Sequence, residues 1–122
     1  MGVGNTALDG LVVVFYNGGS DASYAAFDLD GFSTDASGYF TIGNPGVSGV
    51  DLIFAPGAAG LLQNGADAVA LYAGNATDFP TGTAITSANL QDAIVYGTDD
   101  PEDPGLLVLL NSGRVGQHNC VA

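Results

Sequence analysis

The chain has 122 residues and a formal net charge of −12, from 13 Asp and Glu against a single basic residue, Arg114. A surface with one cation cannot neutralise phosphates, so nucleic acid is excluded as a partner, and so is a polybasic membrane anchor. Apolar residues make up 47% of the chain, too many for acidic disorder, yet no apolar run approaches the roughly 20 residues that span a bilayer.

Glycine is abundant, at 19 residues, and Lys is absent, with Glu, Gln and Arg scarce. Exposed helix faces usually need those residues, so the chain reads as mostly β with many turns. Residues 1–8 lack a basic segment and a long apolar stretch, so they are no signal peptide. They read as an N-terminal extension or a truncated lead-in. A Lys-free, Asp-rich surface suits a saline exterior that screens its charge, and an extracellular protein whose address segment has been removed is expected.

Residues 11–16 (Leu-Val-Val-Val-Phe-Tyr) predict a strand buried on both faces, closed by the turn Asn17-Gly18-Gly19-Ser20-Asp21. Further strands are expected over 24–29, 38–42 and 50–54. Asn64-Gly65 is a strong turn signal, and residues 66–73 then alternate around Val69 and Leu71 as a half-buried strand. Residues 83–86 suggest a short edge strand, and 91–96 a strand alternating around Ile94 and Tyr96. Pro104, after an Asp, suits the first helical position of a short helix over 106–110, with an apolar strand as the alternative. Residues 111–122 form a polar C-terminal tail. Short strands at roughly ten-residue spacing predict an all-β sandwich or barrel.

Four segments then resemble a known family in the right order. They are Val13-Phe15-Tyr16-Asn17-Gly18, Tyr39-Phe40-Thr41-Ile42-Gly43-Asn44, the hairpin residues 62–71, and Asp92-Ala93-Ile94-Val95-Tyr96-Gly97. Together, over about residues 9–110, the chain resembles a lamin tail domain in its acidic, secreted form. The resemblance implies an immunoglobulin-like β-sandwich. It also implies a first strand ahead of residue 11, which residues 1–8 are too short and Gly-rich to supply. That strand is expected to be missing or to come from another chain by pairing at an exposed sheet edge.

Two acidic clusters are candidates for a hard cation. Asp28, Asp30 and Asp35, among glycines and hydroxyls, offer oxygens that suit calcium, although the segment departs from the EF-hand pattern. The same residue types also build plain Asx turns. Asp99, Asp100, Glu102 and Asp103 form the second cluster, as a cation site or a solvated acidic loop. Catalytic motifs are poor. His118, the only histidine, stands two residues from Cys120, the only cysteine, in the tail, and a carboxylate pair for glycoside hydrolysis lacks an aromatic platform. Asn75-Ala76-Thr77 is a glycosylation sequon. The expected function is a non-catalytic extracellular module that assembles into filaments or tethers a protein partner through sheet edges, modulated by calcium. The alternative is an accessory domain excised from a larger secreted nuclease-like enzyme.

Overall fold

A computed structural model describes residues 4–53, 62, 65–97, 104–110 and 120–121, the last two by backbone alone. The strands in chain order are β1 (Leu11–Asn17), β2 (Ala22–Asp28), β3 (Ile42–Gly43), β4 (Leu52–Ile53), β5 (Asp67–Ala73) and β6 (Leu90–Gly97), then α1 (Pro104–Leu107) and β7 (Cys120–Val121). The chain is mostly β with little helix, and no helix among the described residues is long and apolar enough to cross a membrane. It divides into two compact units interleaved in sequence: Met1–Asp9 with Asp30–Gln63, and Gly10–Leu29 with Asn64–Ala122. The expected 9–110 span therefore contributes to both.

The second unit holds a sheet in the order β2-β1-β5-β6-β7, antiparallel except where β7 runs parallel to β6. The run 11–16 forms its centre because β-branched residues pack well on a pleated surface. It is paired on both sides, by β2 and β5, so β1 has no uncovered edge. Val12, Val14 and Tyr16 are fully buried on one face, Leu11 and Val13 are half-buried, and Phe15 is buried on the other face. Register aligns Val12, Val14 and Tyr16 with Tyr72, Ala70 and Ala68 of β5, and these with Leu90, Ala93 and Val95 of β6. This face is the core. Phe79, Leu106 and Leu109 cover it, and the small Ala68, Ala70 and Ala93 leave room for them.

Pro104 does open a helix, and a 3-10 turn (Val108–Leu110) continues it. Leu106 and Leu109 point to the core at helical spacing and Val108 points to solvent, which explains why this apolar run is not a strand. Burying each leucine contributes roughly 1.5–3 kcal/mol.

The alternation in β5 and β6 has the opposite phase from the sequence expectation. Ala68, Ala70 and Tyr72 face the core where Val69 and Leu71 were expected, and Ala93 and Val95 do so where Ile94 and Tyr96 were. Tyr16, Tyr72, Phe79, Leu106 and Leu109 fill the core face, so the strand positions between them at 68, 70 and 93 are alanines.

In the first unit, β3 and β4 pair in parallel over two residues each. The expected lead-in is held by backbone hydrogen bonds over its described part. Asn5 N–H donates to the Asp35 carbonyl, Thr34 N–H to that of Thr6 and Leu8 N–H to that of Phe32, with an antiparallel bridge between Ala7 and Ser33. Phe32 and Phe40 meet edge to face at 5.2 Å. The strand expected over 38–42 shortens to Ile42–Gly43, because Asp35 closes residues 35–39 into a turn: its Oδ1 accepts the N–H of Ser37 at 2.8 Å and of Tyr39 at 3.0 Å. Gly38, at φ +88°, supplies the left-handed step that a side chain would strain.

Candidate functional site

The sheet of the second unit is apolar on its other face as well. Period-two alternation turns Val13 and Phe15 of β1, Val69 and Leu71 of β5, and Ile94 of β6 away from the core. Register places Phe27, Val13, Leu71 and Asp92 in one row across four strands, and Ala25, Phe15, Val69 and Ile94 in the next. Phe15 packs edge to face against Tyr24 at 5.9 Å and Phe27 at 5.8 Å, and is only 3% exposed. Towards β6 the face opens. Ile94 is 55% exposed. Val13, Val69, Leu71 and Ile94 line a shallow depression of about 160 Å³, with Asp92 at its rim.

Asp92 is fixed by its own strand, since its Oδ1 accepts the Ala93 N–H at 2.8 Å. A carboxylate held that way keeps acceptor capacity for a second donor. The groove thus combines a half-buried aliphatic floor, exposed at Ile94, with one anchored negative charge, a composition typical of contact surfaces.

The third row of this face is polar: Asn17, Asp67 and Tyr96 stand side by side. Asp67 is 2% exposed and accepts the Gly18 N–H at 3.0 Å, which ties the β1 turn to the start of β5. Burial, together with the neighbouring Tyr24 and the Asp67 carboxylate, pushes the Tyr96 phenol above its ordinary value of 10.0. Tyr96 also shares a side-chain hydrogen bond with Tyr24. A phenol held protonated in this way is a neutral hydrogen-bonding group at physiological pH, and it closes the end of the groove face instead of offering a nucleophile.

The sequence candidates lie elsewhere. Asp28 Oδ1 accepts the Ala76 N–H at 2.6 Å and so fastens the 3-10 turn Ala76–Asp78 to β2. Asp35 makes the Asx turn described above, and Asp30 is exposed. Asp28 belongs to one compact unit, Asp30 and Asp35 to the other. Among the described residues no three His, Cys, Asp or Glu side chains are grouped as a metal site would need. Asp99, Asp100, Glu102 and Asp103 lie outside the described residues, as do Arg114 and His118. Cys120 lies in β7, paired with Tyr96 of β6. Asn75 of the sequon is exposed, and its N–H donates to Asp78 Oδ2 at 3.0 Å.

Sequence reasoning missed Val13, Val69, Leu71, Asp92 and Ile94 as a group. A signal was present: β1 and β5 carry apolar residues at both parities, which means that both sheet faces are apolar. No family model, curated protein or solved structure matches the chain.

Proposed function

We propose that this protein is a non-catalytic interaction module, built as a lamin-tail-like, immunoglobulin-like sandwich for an extracellular setting, and that it docks a protein partner on the open face of its main sheet. The observation that carries the proposal is the groove over Val13, Val69, Leu71 and Ile94, in which Ile94 on the β6 side is more than half exposed. Covering one such aliphatic side chain is worth roughly 1.5–3 kcal/mol, enough for one side chain to dominate a small interface.

This reading places the contact on the sheet face, beside the sheet-edge contact expected from the sequence. On β6 the Ala93 N–H is already taken by Asp92. At the start of β2, Ser23 N–H donates to the Thr83 carbonyl, Gly82 N–H donates back to Ser23, and Ala84 bridges Ala22. Among the described residues, the outer sides of β2 and of β6 before its pairing with β7 thus carry features that discourage strand addition.

Selection of random displayed peptides on the intact chain, counter-selected on Ile94→Asp, tests the proposal. Enrichment of peptides that need Ile94 is expected. A selection that enriches nothing on the wild-type chain over the variant overturns it.

A further inference from the structure

Resting on the sheet face as the docking surface, we infer that its occupant is a cationic polypeptide segment, which inserts one aliphatic side chain into the groove and sets a Lys or Arg against Asp92. The groove of about 160 Å³ has the capacity of a single branched side chain. Its floor is Val13, Val69, Leu71 and Ile94, and its rim charge is Asp92. The strand register puts Asp92 level with Leu71 and Val13, one row from Ile94. A segment lying across β5 and β6 therefore meets aliphatic carbon and carboxylate at neighbouring positions.

Charge selects the class of occupant. The chain carries −12 with a single basic residue, so its field draws cations and repels a second copy of itself. An acidic or neutral partner gains only the groove, whereas a basic one gains the groove, the rim carboxylate and the long-range field. The carboxylate is pre-positioned by its bond to the Ala93 N–H, which lowers the cost of ordering it on binding.

Three labelled synthetic decapeptides test this by fluorescence anisotropy: alternating Lys–Leu, alternating Lys–Ser and alternating Ser–Leu. The Lys–Leu peptide is expected to bind tightest, with an affinity that falls as salt shortens the screening length. Ile94→Asp adds a negative charge while removing apolar floor, so it separates the two contributions by sign. It is expected to weaken Lys–Leu by about tenfold and to strengthen Lys–Ser slightly. Asp92→Asn keeps an acceptor for Ala93 and is expected to weaken Lys–Leu and flatten its salt dependence.

Lys–Leu binding unchanged or tightened by Ile94→Asp means diffuse attraction and overturns the inference. Ser–Leu binding as tightly as Lys–Leu, with both weakened by Ile94→Asp, also overturns it while leaving the face as the docking surface. Failure of the peptide selection above removes the face itself, so the two failures are distinguishable.

Discussion

The hydroxyls of Tyr16 and Tyr72 lie 2.8 Å apart in the core, and Tyr72 donates onward to the Thr86 carbonyl at 2.7 Å. One proton per phenol then makes Tyr16 the donor to Tyr72. The chain joins β1 and β5 to the segment before β6, in a place where an unmade hydrogen bond is expensive. Tyr72→Phe leaves both Tyr16 and Thr86 short of a partner and is expected to cost about 1–3 kcal/mol. Tyr16→Phe removes the hydrogen bonds of Tyr16 to Tyr72 and to the Thr86 backbone but leaves the Tyr72–Thr86 bond intact, and is expected to cost less, about 0.5–1.5 kcal/mol. Urea unfolding of the two single variants and the double variant checks the order. Equal costs, with no coupling between the positions, would refute it.

Alkaline pH should find a second weakness in the same sheet. Burial raises the phenols of Tyr16 and Tyr96 above 10.0, for Tyr96 with help from Tyr24 and Asp67. A raised folded value means that the native state holds its protons while the unfolded chain releases them. The associated stability is fully present below about pH 10, the ordinary phenol value, and is lost as pH rises above it. Thermal unfolding followed from pH 9 to 12 is expected to show a falling Tm, with a shallower fall in Tyr96→Phe. A profile that is flat above pH 10, or identical in the variant, counts against the burial of Tyr96.

The turns, the helix at Pro104 and the four long strands were legible because each depends on local chemistry. Apolar runs sit between Asn-Gly and Pro-Gly punctuation, and Pro104 fixes a helical φ. Long-range choices were not legible. Residues 83–86, expected as an edge strand, provide only the bridge from Ala84 to Ala22, since Pro80 and Gly82 hold them in turns. The phase of β5 and β6 depends on what covers each face, and Ala-Val-Ala-Leu-Tyr offers an apolar stripe at either parity. Burial goes to the tyrosine side because Leu106, Leu109 and Phe79 fill that face. The groove follows from that choice and from the register that aligns Val13, Leu71 and Asp92, which neither strand encodes alone.

The acidic segment 28–35 was legible as residues but not as a role. Asp35 spends its Oδ1 on two backbone N–H groups, at Ser37 and Tyr39. Asp35→Ala is expected to cost about 1 kcal/mol, and Asp35→Asn less, because the amide oxygen can still accept. A turn-forming carboxylate gives the same cost in chelator as in millimolar calcium. A ligand of the native state instead raises Tm by mass action. A calcium-induced rise in the wild type that disappears in Asp35→Ala would reassign Asp35 as a cation ligand.

Asp92 has two duties, and different substitutions separate them. Its charge faces the groove, while its Oδ1 occupies the Ala93 N–H on β6. Asp92→Asn removes the charge and keeps an acceptor, so the strand stays guarded. Asp92→Ala removes both and leaves the Ala93 N–H beside a row of aliphatic side chains, the combination that templates strand addition. At equal concentration, Asp92→Ala is expected to self-associate measurably more than the wild type in light scattering or sedimentation, and Asp92→Asn to resemble the wild type. The charge removed is the same in both, so repulsion alone cannot produce a difference between them. If the two variants associate to the same extent, the Ala93 hydrogen bond does not guard the strand, and the lost charge accounts for the association.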